Sequence, residues 1–92
     1  MKIRWTAEAS QNLEHIHLHI AEDNPEAAVR TVRSIFDHIT KLCVFPDRGR
    51  IGRKEGTREL VLSPLPYFVV YRVQAETVDI LYIRHGARQP HD

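Results

Sequence analysis

The sequence is poor in the features that define whole classes of protein. It has one cysteine, Cys43, in 92 residues, so no internal disulfide can staple it and a reducing compartment is expected. No apolar run exceeds the five residues Tyr67 to Tyr71, far short of the roughly 20 that a membrane-spanning helix needs. The opening Met1-Lys2-Ile3-Arg4-Trp5 lacks the apolar core of a secretion signal, which predicts a cytoplasmic protein. Neither sign of charge dominates, since Lys and Arg number 13 against 12 Asp and Glu. The whole chain is therefore not basic enough to demand nucleic acid. Gly49, Gly52 and Gly56 do not spell G-x-x-x-x-G-K-S/T, and no Ser/His/Asp signature of an acyl hydrolase is present.

What is present is an ordinary globular balance, 42% hydrophobic and 27% charged, which predicts one small domain over residues 1–92. The charge is unevenly spread. Residues 1–47 carry five Lys/Arg against seven Asp/Glu, while residues 48–92 carry eight against five. Arg48, Arg50, Arg53, Lys54 and Arg58 crowd into eleven positions against Glu55 alone. A local cationic loop of this kind suits phosphate or an acidic protein surface.

Lys2 to Trp5 reads as a strand that Thr6 ends by capping a helix. Ala9, Leu13, Ile16 and Ile20 then form one apolar stripe. Asn24-Pro25 restarts the chain as a cap and first turn. Ala28, Val32, Ile35, Ile39 and Leu42 repeat the four-three rhythm, widened by Val29, Phe36 and Cys43, until Pro46 halts it. The short connection predicts an antiparallel helical hairpin. Beyond the cationic loop, expected to be mobile or turn-rich, the period changes. Arg58 to Leu62, Tyr67 to Val73 and Val78 to Arg84 read as strands, with turns at Ser63-Pro64-Leu65-Pro66 and Gln74 to Thr77. The fold class is α+β: an N-terminal strand and a helical hairpin packed on one face of a mainly antiparallel four-stranded sheet.

Alternation sends Tyr67, Val69, Tyr71 and Val73 to one side, and Phe68, Val70 and Arg72 to the other. In the last strand it sets Val78, Ile80 and Tyr82 against Leu81 and Ile83. Both faces are then largely apolar, and two helices cover only one. The other needs the cationic loop, the C-terminal tail or another chain, and an external partner is the expectation.

His15, His17 and His19 lie on a helix, where only His15 and His19 share a side and no carboxylate completes a closed site. No metal and no cofactor are expected. Cys43 reads as a structural thiol in an apolar sector. The chemically suggestive set is the strand end Ile83-Arg84-His85-Gly86-Ala87-Arg88 with Lys54 and Arg58. A histidine near neutrality and phosphate-clamping cations could cleave RNA, or the arginines could simply pair with carboxylates.

Several runs taken in order carry a family resemblance: Arg4-Trp5-Thr6, Pro46-Asp47-Arg48-Gly49-Arg50, Thr57-Arg58-Glu59-Leu60-Val61, Pro66-Tyr67-Phe68-Val69-Val70-Tyr71-Arg72-Val73 and Val78-Asp79-Ile80-Leu81-Tyr82-Ile83-Arg84-His85-Gly86-Ala87-Arg88. Together they cover nearly the whole chain, which resembles the RelE/ParE superfamily of toxins from bacterial type II toxin–antitoxin modules, often labelled plasmid stabilisation proteins. The resemblance implies growth inhibition and a cognate antitoxin that wraps the toxin in a hetero-oligomer. RelE-like members cleave mRNA on the ribosome; ParE-like members are thought to poison DNA gyrase.

Arg88 matches the Gly-x-Arg position of the RNases. However, Ser63-Pro64-Leu65-Pro66 replaces a region that is often basic in them, and the tail after Arg88 has no tyrosine. The ParE-like branch is favoured, with a ribosome-dependent RNase as the alternative and a plain binding module without toxicity as the second. Arg48, Arg50, Arg53, Lys54 and Arg84 are then the expected target-binding residues, and Phe68, Val70, Leu81 and Ile83 the expected antitoxin contacts. If the chain were an RNase, Arg58, His85 and Arg88 would be its catalytic set. Hetero-oligomerisation without any membrane attachment is expected on either branch.

Overall fold

Thr6 is the hinge on which the first strand becomes the first helix. The structure is a computed structural model describing residues 1–86, in which β1 (Lys2–Trp5) leads directly into α1 (Ala7–Ala21). The Thr6 hydroxyl accepts from the Ala9 amide at 3.1 Å and satisfies an orphan donor of the first turn. The same oxygen lies 2.9 and 2.8 Å from the carbonyl oxygens of Ile80 and Leu81, to which its single proton donates. One side chain thus caps the helix and fixes it to the sheet. Asn24 repeats the capping role for α2 (Pro25–Thr40), its side-chain oxygen accepting from Ala27 at 3.0 Å. Two short 3-10 turns follow at Lys41–Cys43 and Pro46–Arg48, the second opened by the proline expected to end the helix.

Four more strands complete a mixed sheet: β2 (Arg50–Ile51), β3 (Arg58–Val61), β4 (Tyr67–Val73) and β5 (Thr77–His85). Their order is β1-β5-β4-β3-β2, with β1 parallel to β5 and the other neighbours antiparallel. The α+β class is as expected, whereas the sheet has five strands and not four. The additional one, Arg50–Ile51, lies inside the cationic loop and pairs with Glu59 and Arg58. Two residues are too few to leave a period in a sequence.

Both helices pack on the same side of the sheet. Ala9, Ile35, Ile39 and Leu42 meet Leu60, Val69, Tyr71, Val78, Ile80 and Ile83 in one core. The apolar sector of α2 is narrower than its sequence suggests. Val29 and Phe36 are exposed, Phe36 leaning on Trp5 with ring centroids 5.4 Å apart, and Cys43 lies beyond the helix in the first 3-10 turn, only half-buried.

Tyr71 anchors the loop before β2. Its buried hydroxyl donates to the Pro46 carbonyl at 2.7 Å and accepts from the Gly49 amide at 2.8 Å. Burial raises the pKa of this phenol above the ordinary 10.0, although the Gly49 amide and the Arg58 charge act in the opposite direction. Burial likewise raises Tyr67.

The last strand departs from simple alternation. Val70 pairs with Tyr82 but Tyr71 pairs with Ile80, so Leu81 is an extra residue, a β-bulge. After it, parity reverses. Ile83 joins Val78 and Ile80 in the core, with 3% of its surface exposed, and Tyr82 moves to the side away from the helices. The expectation that Ile83 faces a partner and Tyr82 the core is corrected accordingly.

Candidate functional site

The face of the sheet away from the helices follows from the register. One row across it reads Arg50, Glu59, Val70, Tyr82 and the next reads Val61, Phe68, Arg84. Glu59 and Val61 reach this face because Arg58 and Leu60, their alternates on β3, turn to the helix side. The loop between β2 and β3 borders the sheet here, closed by the Gly52 amide donating to the Thr57 carbonyl at 2.7 Å. Gly56 takes the left-handed backbone that this turn requires, with φ of 81°.

The result is an open basin of about 420 Å3. Val61, Phe68 and Tyr82 supply its apolar surface; Arg50, Arg53, Lys54 and Arg84 supply its charge, with His85 and Gly86 at the end of the last strand. Glu59 is the sole carboxylate among the described lining residues. Its oxygens accept from the Arg50 guanidinium at 3.0 Å and from the Arg53 backbone amide at 3.4 Å, which ties the cationic loop to the sheet. Arg84 lies over the Tyr82 ring, 4.1 Å from its centroid, and reaches Glu8 of α1 at 3.1 Å. That contact runs past the edge of β5 beyond Ile80, where β1 has ended and Asn12 accepts from the Ile83 amide at 2.9 Å.

Of the five expected target-binding cations, the basin gathers four. Arg48 sits apart, at the end of the second 3-10 turn, lining a separate hollow with Val44, Phe45 and Pro46. Of the expected antitoxin contacts, Phe68 lines the basin. Val70 shares its face but is 2% exposed between Glu59 and Tyr82, Leu81 is half-buried at the bulge, and Ile83 belongs to the core.

Of the described members of the expected catalytic set, His85 lines the basin and Arg58 does not. Arg58 lies on the helix side of the sheet, donating to the Gly49 carbonyl at 2.7 Å and paired with Asp47 at 3.4 Å. His85 neighbours the basin, but its ring stands edge-on to Tyr67 at 5.4 Å. Arg88 lies outside the described residues. Glu59, Val61 and Tyr82 are the lining residues that sequence reasoning missed. Period-two alternation through β3 could have found the first two, but the side taken by Tyr82 depends on the bulge.

Residues 3–90 match the sequence model of a family described as the ParE toxin of type II toxin–antitoxin system, parDE. Among curated relatives, the chain is 41% identical over 88 residues to Y4kP of Sinorhizobium fredii, an alignment spanning 96% of this chain and 91% of that protein. It is 30% identical over 70 residues to Toxin ParE2 of Mycobacterium tuberculosis, spanning 76% and 67% of the two. Among solved structures, a chain of the chromosomal ParDE TA system from P. aeruginosa superposes with a TM-score of 0.83 at 28% identity, covering 94% of this chain and 96% of that one. A chain of the RelBE2 toxin–antitoxin complex from Mycobacterium tuberculosis shares the fold, with a TM-score of 0.58 at 23% identity over 91% and 95% of the two chains.

Proposed function

The chain belongs to the ParE toxin family of type II toxin–antitoxin systems, and from that premise we propose that it inhibits growth in the cytoplasm by poisoning DNA gyrase and is neutralised by a cognate antitoxin. The observation that supports the choice of mechanism is the placement of Arg58 away from the basin. Cleaving RNA requires a base and several cations to converge on one phosphate. Here the Arg58 guanidinium is committed to the Gly49 carbonyl and Asp47 on the opposite side of the sheet from the basin. What remains on the open face is a cationic rim around apolar side chains, a surface suited to gripping a macromolecule. The antitoxin reading is supported by the solved relatives, which come from a ParDE system and a RelBE2 toxin–antitoxin complex.

The test is direct. Purified toxin added to gyrase and relaxed plasmid should block supercoiling or trap cleaved DNA. Undiminished supercoiling, together with mRNA cuts in a translating extract, would replace gyrase by the ribosome and reinstate Arg58, His85 and Arg88 as the residues to substitute. Where a short reading frame lies beside that of the toxin, co-expression of its product should restore growth, and continued arrest would remove that product as the antitoxin.

A further inference from the structure

We propose that the open-face basin receives an acidic polypeptide loop of the toxin's target, with a large apolar side chain seated on Val61 and Phe68 and flanking carboxylates held by Lys54 and Arg84. This deepens the reading above and rests on it for the identity of the partner, though not for the chemistry of the site.

The internal pairing shows what the rim can recognise. Glu59 demonstrates that the β2 edge and its loop grip a carboxylate, using one guanidinium and one backbone amide. That side chain is only 14% exposed and is a fixed part of the wall. The Arg84–Glu8 pair is different, with the two side chains 45% and 55% exposed. An exposed pair of this kind is worth at most about 1 kcal/mol. An incoming carboxylate can therefore take the place of Glu8 on Arg84 at little cost, while the Arg84 guanidinium stays stacked on Tyr82. Lys54 brings a further cation to the same rim.

The same details disfavour a nucleic acid. Single strands bind by stacking bases on open aromatic faces, but Arg84 occupies one face of Tyr82. A peptide needs neither an open ring face nor a run of cations along its length.

The probe is a fluorescein-labelled Asp-Glu-Phe-Glu-Asp peptide, followed by anisotropy with the full chain at low salt. Its amide counterpart Asn-Gln-Phe-Gln-Asn and its Ala-centred counterpart should each bind about tenfold more weakly. A thymidine pentanucleotide should bind more weakly than the acidic peptide. Lys54→Glu should reduce acidic-peptide binding about tenfold, and Val61→Glu should do the same by placing a carboxylate among the apolar side chains. Both positions are solvent-accessible, and an unchanged melting temperature will confirm that the variants fold. Equal binding of acidic and amide peptides, tighter binding of the oligonucleotide, or no binding at all would overturn the proposal. Gyrase poisoning by a chain that ignores the peptide would sink this inference alone. Peptide binding without an effect on gyrase would sink the named target and leave the basin's chemistry standing.

Discussion

The hydroxyl of Tyr71, in the middle of the sheet, accepts the amide proton of Gly49 across 22 residues of sequence at 2.8 Å. Gly49 has no room for a side chain there: a Cβ would lie 2.7 Å from that hydroxyl and 2.8 Å from the Glu59 carbonyl. Loop and sheet are fitted to each other at this point, immediately before the strand that borders the basin. Arg58 reinforces the join by donating to the Gly49 carbonyl.

Tyr71→Phe is therefore expected to cost about 1–3 kcal/mol, because it leaves the Gly49 amide and the Pro46 carbonyl without their partner. Gly49→Ala should cost a similar amount by overpacking, typically about 1–3 kcal/mol. The double variant should fall short of the sum, since the two changes act on one contact. Urea unfolding of the four proteins measures all three quantities.

Arg58→Ala should destabilise the fold by roughly 1.5–3 kcal/mol through loss of its charge-assisted hydrogen bonds. Lys54→Ala, on the exposed rim, should leave the melting temperature within about 2–4 °C of the parent. Loss of toxicity in the Arg58 variant should therefore track its loss of folded protein, as thermal melts and soluble yield will show. A stable but inactive Arg58→Ala protein would contradict this assignment.

The two raised phenol pKa values set an alkaline limit. Each proton is held more tightly in the folded chain than in the unfolded one, whose ordinary value is 10.0. Stability is then complete below pH 10 and declines as pH climbs through the folded values, by up to about 1.4 kcal/mol per pH unit for each phenol. Tyr67→Phe should flatten that decline. Melting temperatures recorded from neutral pH to 11 will decide it.

Asn12 closes the edge of β5 where β1 has stopped. Asn12→Ala leaves the Ile83 amide without its acceptor and should cost about 1–3 kcal/mol. Asn12→Asp keeps an acceptor oxygen and should recover most of the loss. Amide exchange at Ile83 should speed up in the first variant and not in the second.

Much of this architecture was legible because local signals agreed. Thr6 and Asn24-Pro25 announce their helices through capping chemistry, and β4 has the bounds that its aromatic and β-branched run implies. The sides of β5 were not legible beyond Ile80. Leu81 is an ordinary apolar residue, and nothing in its identity marks it as the one that pairs with no neighbour. That single unpaired position moved Ile83 inward and Tyr82 outward, and so changed which aromatic lines the basin. The site was legible to the same degree. Clustered arginines pointed to a cationic region, while the separation of Arg58 from the rest depends on strand parity and on a two-residue partner strand too short to read.

The pairing of Lys2–Trp5 with Thr77–Ile80 has a temporal side. As the polypeptide emerges during translation, its earliest stretch waits for a neighbour that is synthesised more than seventy residues later. Tyr82 and Arg84 are added later still. A truncated or stalled product consequently lacks the sheet on which the helices pack, and the complete domain exists only once nearly all the described chain has been made.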